Sequence, residues 1–72
     1  MPIVLAPLNE TIIIRNVLVE EKVKKHLESL GVTPGREVTV LQITNGNVII
    51  QIGNSRFALD KNVAMKIMIS HK

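Results

Sequence analysis

The chain has 72 residues with a formal net charge of +3, no cysteine and a hydrophobic fraction of 46%. This length predicts one domain over residues 1–72, and the lack of cysteine points to a reducing interior and excludes disulfides, thiol chemistry and cysteine metal sites. No apolar run approaches the roughly 20 residues of a membrane span and no basic signal-peptide region precedes the first one, so a cytosolic protein is expected.

A strand and an amphipathic helix are predicted in the first half of the chain. Residues 11–19, TIIIRNVLV, are dense in β-branched side chains, which favours a largely buried strand over their first half. Residues 20–30, EEKVKKHLESL, place Val23, Leu27 and Leu30 at i, i+4 and i+7 with polar residues between them. This spacing predicts one helix with a single apolar stripe.

Charged residues and a glycine mark the ends of this helix. Its first turn is acidic, as the helix dipole favours, and two i, i+4 ion pairs are expected: Glu20 with Lys24, and Glu21 with Lys25. Gly31 follows Leu30 where a residue of left-handed conformation belongs, and Pro34 cannot continue the helix. The helix is therefore expected to stop at Leu30, and Gly35 to let the chain turn into the next strand.

A three-stranded meander is predicted after this corner. Residues 37–43 and 48–52 alternate between apolar and polar and are separated by NGN, residues 45–47, in which Asn-Gly is the strongest short hairpin signal. GNS, residues 53–55, is a second turn signal and leads into RFAL, residues 56–59.

A short polar link and one more strand are predicted at the end of the chain. In DKNVA, residues 60–64, either Asp60 or Asn62 can start a single helical turn. MKIMI, residues 65–69, then places two isoleucines on one face of a strand, and residues 70–72 are expected to fray.

The number and spacing of these elements define the fold class. Five strands and one helix occur in a chain that is too small for two packed sheets. Bending a meander into a small barrel removes exposed strand edges, which so apolar a chain requires. We therefore predict a mainly β fold, a small SH3-like barrel with one α-helix inserted at about residues 20–30. Any strand edge left open would allow weak association with a second copy.

Residues able to bind a metal or to catalyse a reaction are few and scattered. Zinc sites use three or four protein ligands, whereas His26 and His71 are far apart and Lys22 precedes His26 by one helical turn. Three serines lack a histidine partner in any catalytic motif: Ser29, Ser55 and Ser70. The acidic residues at helix starts already have a structural explanation. We expect no enzyme, no metal site and no cofactor.

Binding of phosphate or nucleic acid is also disfavoured. GVTPG, residues 31–35, follows a helix and meets its carbonyl end, whereas a phosphate-binding loop precedes a helix and uses its positive N-terminus. Three basic residues of the helix are interleaved with glutamates and indicate a mixed solvated face: Lys22, Lys24 and Lys25. Because Phe57 is the sole aromatic residue, the stacking used by most single-stranded RNA or DNA binders is missing.

Two stretches carry a family pattern, HLESLGVTPGREVTVL at residues 26–41 and FALDKNVAMKIMI at residues 57–69. The main matching positions are Leu27, Leu30, Gly31, Val32, Pro34, Gly35, Ala58, Leu59 and Ala64. Over about residues 5–69 the chain resembles the ferrous iron transport protein A (FeoA) family, although Asp60 stands where many members have arginine.

This resemblance implies a single FeoA-like domain that serves as a non-enzymatic accessory protein of ferrous iron uptake in the bacterial cytosol. Its partner would be the large membrane transporter of the system, protein B, bound through its cytosolic G-protein part at the inner face of the membrane. The family also resembles the C-terminal domain of iron-dependent repressors, which keeps a metal-sensing domain as an alternative. A small nucleic-acid-binding barrel is the other alternative. The residues leave the partner-binding face unassigned.

Overall fold

Five strands, two α-helices and one 3₁₀ turn build the fold, and the computed structural model describes residues 1–72. In chain order these are the 3₁₀ turn Ile3–Leu5, β1 (Thr11–Val17), α1 (Glu21–Ser29), β2 (Glu37–Thr44), β3 (Asn47–Ile52), β4 (Ser55–Leu59), α2 (Lys61–Ala64) and β5 (Ile67–His71). The predicted helical turn after β4 is α2, and its N-cap is Asp60, whose Oδ1 accepts a hydrogen bond from the Val63 N–H (2.9 Å).

All five strands form one antiparallel sheet in the order β4-β3-β2-β1-β5. α1 is inserted between β1 and β2, which are direct neighbours in the sheet. The pairing register shifts in β1 between Ile14 and Asn16 and in β2 between Val40 and Gln42. Such bulges bend and twist a strand locally, so they let the sheet curl around its apolar face into a small barrel.

The core is a cluster of sixteen buried side chains, all of them apolar. They are Ile3, Ala6, Ile12, Ile14, Val17, Leu27, Val32, Val38, Val40, Val48, Ile50, Ile52, Leu59, Ala64, Ile67 and Ile69. Burial alternates along β1, β3 and β5, as the predicted strand faces require. Because no polar side chain is buried, apolar packing and main-chain hydrogen bonds hold the barrel together.

The C-terminal end of α1 is closed by two backbone hydrogen bonds. The Gly31 N–H donates to the Glu28 carbonyl (3.0 Å), and the Val32 N–H donates to the Leu27 carbonyl (2.9 Å). This is the Schellman pattern, and it needs the left-handed backbone that Gly31 adopts at φ +93°. The predicted helix end is confirmed.

A tight turn completes the corner between α1 and β2. The Arg36 N–H donates to the Thr33 carbonyl (3.1 Å), with Pro34 and Gly35 as the two central residues. The Gly35 N–H also donates to the Ile14 carbonyl of β1 (2.7 Å), which ties the corner to the barrel. Proline and then glycine at these positions suit a type II turn.

The segment before β1, to which the sequence assigned no element, covers an edge of the sheet. The Met1 amino group donates to the Ile69 carbonyl (3.0 Å), and the Ile69 N–H donates to the Met1 carbonyl (2.7 Å). Pro2 pairs with Met68 in the same antiparallel sense. These contacts occupy main-chain groups on the side of β5 that faces away from β1, where an open edge would invite further strand pairing.

Element ends and surface ion pairs differ from the sequence predictions. β1 ends at Val17, and α1 runs over Glu21–Ser29 because Glu20 and Leu30 are its cap residues. Neither expected ion pair on α1 forms. The single ion pair within 4.0 Å joins the Lys72 Nζ and the Glu37 Oε1 (3.2 Å). Exposed charges gain little from pairing in water, which explains why the helical pairs stay apart.

The expected fraying of residues 70–72 was wrong. β5 continues to His71, which lies opposite Ile12 of β1. The Ser70 Oγ accepts a hydrogen bond from the Arg15 Nε (2.6 Å). A polar tail looks unstructured in the sequence, but here β1 supplies the main-chain and side-chain partners that hold it.

The Asn45-Gly46 turn between β2 and β3 packs against α2, which allows a test of the fold. Gly46 has φ +84°, and a Cβ there would lie 2.7 Å from the Lys61 Cγ. Gly53, in the next hairpin, has φ +58° and no atom within 4 Å of such a Cβ. We expect Gly46→Ala to lower the free energy of unfolding by about 1–3 kcal/mol, more than Gly53→Ala, because it adds a steric clash to backbone strain that both share.

Urea unfolding followed by circular dichroism measures both losses. The double variant Gly46→Ala/Lys61→Ala should recover part of the difference, since it removes most of the obstructing side chain. Equal losses at Gly46 and Gly53 would show that the contact with Lys61 does not matter.

Candidate functional site: an apolar groove beside α1

An apolar groove, called here the α1–α2 groove, runs between α1 and the segment formed by the end of β4 and α2. It consists of two adjoining cavities of about 250 and 160 Å³ that share the side chains of Val23 and Val63. The remaining lining residues are Val19, Glu20, Asn62 and Lys66 in the larger cavity, and His26, Leu27, Leu30, Ala58, Leu59 and Asp60 in the smaller one. An aliphatic floor with charged side chains around it is the usual anatomy of a protein-binding surface.

α1 forms one wall of the groove and is anchored by one side chain. Leu27 is 3% exposed and belongs to the barrel core, whereas Val23 is half-buried and Leu30 is 37% exposed. The apolar stripe that the sequence predicts is thus divided between the core and the groove. The division arises because the side of the stripe that carries Leu30 has no element packed over it.

The opposite wall is held by α2 and by the turn that follows β2. Ala64 is fully buried and fixes α2 on the barrel, while the neighbouring Val63 is half-buried and lines the groove. The Lys61 N–H donates to the Asn47 Oδ1 (2.9 Å), which joins α2 to the start of β3. The wall is therefore built from contacts between segments that are distant along the chain.

Charged side chains stand at both ends of the groove. Glu20 and Lys66 lie at the larger cavity, and His26 and Asp60 lie at the smaller one; all four are exposed. The Asp60 carboxylate already accepts the hydrogen bond from the Val63 N–H, so part of its charge is engaged in capping α2.

The exposed side of α1 away from the groove carries both lysines and glutamates. A helix turns by about 100° per residue, which places Lys22 on the flank beyond His26 and Lys25 within about 40° of Glu21. Glu21 and Glu28 fall on the other flank of the helix. The solvent side of α1 therefore carries lysines and glutamates next to one another, in agreement with the mixed solvated face that the sequence predicts.

Four of the nine main motif positions lie along the groove: Leu27, Leu30, Ala58 and Leu59. Gly31, Pro34 and Gly35 form the corner after α1, and Ala64 is buried beneath α2. Sequence reasoning did not assign the groove. The available signal was Val63, an apolar residue inside the short helical turn that no periodic pattern assigns to the core.

Catalytic and metal-binding residue types are dispersed. No three His, Cys, Asp or Glu side chains are close enough together to hold a metal ion. The Ser29 Oγ donates to the His26 carbonyl (2.5 Å) and the Ser70 Oγ accepts from the Arg15 Nε (2.6 Å), so the hydrogen-bond partner of each hydroxyl is a group other than a histidine ring. Another cavity of about 250 Å³, on the outer face of the sheet, is lined mostly by polar residues: Thr11, Glu37, Val38, Thr39, Gln51 and Gly53.

Neither α-helix is long and apolar enough to cross a membrane.

The class that the fold and the site define is a small β-barrel with an apolar groove on its surface. Comparison with known proteins makes this class specific: the chain belongs to the FeoA domain family, whose model matches residues 1–71. The family resemblance seen in the sequence is therefore confirmed.

Two relatives and one more distant structure illustrate the match. The candidate Fe(2+) transport protein A of Methanocaldococcus jannaschii is 31% identical over 68 residues, which cover 94% of this chain and 83% of that protein. The crystal structure of an iron uptake regulatory protein (FeoA) is 30% identical, has a TM-score of 0.86, and covers 97% of this chain and 95% of its own.

The third structure is the zinc-complexed FeoA of Stenotrophomonas maltophilia, described as a prokaryotic SH3 domain protein. It is 21% identical, has a TM-score of 0.76, and covers 97% of this chain and 89% of its own. At this identity the likeness shows the fold alone, and it confirms the predicted SH3-like barrel.

The division of the α1 stripe predicts unequal costs for two leucine truncations. Leu27→Ala should lower the free energy of unfolding by about 2–5 kcal/mol, because it removes a buried core side chain. Leu30→Ala should cost less than about 1 kcal/mol, because Leu30 is already 37% exposed at the end of the helix. Chemical denaturation of both variants tests the expectation, and similar losses would mean that Leu30 belongs to the core.

Proposed function

We propose that the protein is a non-enzymatic accessory protein of ferrous iron uptake, which binds the cytosolic G-protein part of the large membrane transporter of that system and modulates it. The observation that carries the proposal is membership in the FeoA domain family over residues 1–71. The relatives support the same system: one is a candidate Fe(2+) transport protein A and one an iron uptake regulatory protein.

The α1–α2 groove supports a binding role. Val23, Val63 and Leu30 leave aliphatic surface exposed or half-exposed between two fixed walls, and no segment of the chain covers it. Such a surface gains free energy when a partner removes it from water. The proposal therefore places partner binding at this groove, with residues 1–72 acting as one FeoA-like domain in the cytoplasm, at the inner face of the membrane through the partner.

Neither competing function has a specific observation in its favour. Metal sensing would use a grouped set of ligands, but His26 and His71 lie on α1 and at the end of β5, respectively. Nucleic-acid binding would use exposed aromatic side chains, but Phe57 is half-buried and packs against the core.

The direct test is a binding titration of this protein against the isolated cytosolic part of the transporter. We expect saturable binding, measured by biolayer interferometry, in at least one of three states of the G-protein domain: nucleotide-free, GDP-bound or bound to a non-hydrolysable GTP analogue. An unrelated G protein of similar size serves as the control. Lack of detectable binding in all three states would contradict the proposal.

A further inference from the structure

One edge of the sheet, along β4, is open, whereas the opposite edge is covered. β4 is the outermost strand in the order β4-β3-β2-β1-β5, and β3 is its one partner. The outer side of β5, at the other end of this order, is covered by Met1 and Pro2. The sequence predicts that a strand edge left open would allow association with a second copy, and β4 provides that edge.

The turn between β3 and β4 decides which main-chain groups of β4 face outward. Residues 53–54 form a two-residue turn whose first position is a glycine at φ +58°, as type II′ requires, so Ile52 and Ser55 form the closing pair of the hairpin. In such a hairpin the closing pair and every second pair after it exchange both main-chain hydrogen bonds. The N–H and C=O groups of Arg56 and Ala58 therefore point away from β3.

These outward groups have no partner within the chain. No main-chain hydrogen bond outside the helices and strands involves residues 55–59, and no side chain bonds to the main chain of Arg56 or Ala58. Both residues are exposed. Their main-chain donors and acceptors form a regular row at the surface, and the partner that carries matching groups at the same spacing is another extended main chain.

β4 also lacks the features that keep many edge strands from pairing. It contains no proline, and its register with β3 has no bulge, whereas the bulges of the sheet lie in β1 and β2. Its one charged side chain is Arg56, and the Arg56 Nε donates to the Gln51 Oε1 of β3 (2.9 Å). The guanidinium group is therefore directed towards β3 and away from the open edge.

The row of outward groups is complementary to itself in one register. When two copies of β4 lie antiparallel with Phe57 on the two-fold axis, Arg56 of each copy faces Ala58 of the other. Both of these are hydrogen-bonded pairs, so each exchanges both main-chain bonds and every outward group is used. The two Phe57 residues meet at the axis, where their half-buried rings cover one another in part.

The neighbouring registers fit less well. A two-fold axis at Arg56 would place two guanidinium-bearing side chains directly opposite each other, which is destabilising. An axis at Ala58 would pair Arg56 with Asp60, whose carbonyl already accepts the Ala64 N–H (2.8 Å). The register centred on Phe57 keeps like charges from lying directly opposite each other and uses every outward group.

We propose that the protein pairs with a second copy of itself through β4, in an antiparallel arrangement centred on Phe57, so that the two five-stranded sheets join into one. This proposal does not rest on the function proposed above, and its test uses the chain alone. The association is weak and depends on concentration, because each main-chain hydrogen bond between the copies replaces hydrogen bonds to water.

Sedimentation equilibrium measures this association and its dependence on the outward N–H of Ala58. The wild-type chain should shift toward twice the mass of one copy as its concentration rises from about 10 μM to about 1 mM. Ala58→Pro removes this N–H without removing a bond to β3 and should weaken association by about tenfold or more. Ala58→Val keeps the N–H and should associate like the wild-type chain. Circular dichroism checks that both variants stay folded.

Disulfide cross-linking tests the register. The chain has no cysteine, so Arg56→Cys and Ala58→Cys each carry a single thiol. An equal mixture of the two in a glutathione redox buffer should form the mixed disulfide in about tenfold excess over either symmetric one, because the mixed pair alone lies within disulfide distance. The control mixes Arg56→Cys with Glu28→Cys, on the exposed side of α1, and should give about the twofold excess of random pairing.

Three results would overturn the proposal: a wild-type chain that is monomeric at about 1 mM, equal association of the Ala58→Pro and Ala58→Val chains, or symmetric disulfides in excess of the mixed one. If Ala58→Pro unfolds, the disulfide ratio decides. Association that Leu30→Gln abolishes and Ala58→Pro does not would place the second copy in the α1–α2 groove. If the wild-type chain stays monomeric and the cytosolic part of the transporter shifts the amide resonances of residues 55–59, the edge belongs to a strand of that partner.

Discussion

The burial of Leu27 in the barrel core is the contact on which the α1–α2 groove depends. It is the one residue of α1 that is buried, and it holds a helix of nine residues that is too short to be stable by itself. The Schellman bonds of Gly31 and Val32 then fix the direction in which the chain leaves the helix. Because Leu27 and the corner after α1 fix the helix on the barrel, the aliphatic residues beside Leu27 form a wall that faces α2.

The absence of buried polar groups explains how so small a chain can leave apolar surface exposed. Sixteen apolar side chains form the core, and no polar side chain carries a desolvation cost. Met1 and Pro2 cover the outer edge of β5, which protects that sheet edge from pairing with another strand. Leu30 stays 37% exposed at the surface, and Val63 packs against the core with only part of its side chain.

The fold followed from local patterns, whereas the site did not. The hairpins and the helix end could be predicted from the sequence because their signals act within a few positions. These signals are the alternating residues, Asn-Gly at 45–46 and the glycine after Leu30. The groove joins Val23 with Val63, forty residues further on, and periodicity contains no information about that distance. For the same reason the sequence placed Leu27 and Leu30 in one apolar stripe, and only the uncovered side of α1 shows that one is buried and the other partly exposed.

The sequence by itself determined the fold class, the order of elements, the corner after α1 and the family, because these depend on residue type, short-range spacing and an uninterrupted motif. The tertiary structure decided which apolar residues of α1 are core and which are surface, and it ordered residues 70–71 as part of β5 beside β1. It also decided which charged residues stand beside the groove, since Asp60 and Lys66 reach it from the wall opposite α1. The burial of a residue and its spatial neighbours depend on how the helices and strands pack together. The order of residues along the chain therefore does not specify them by itself.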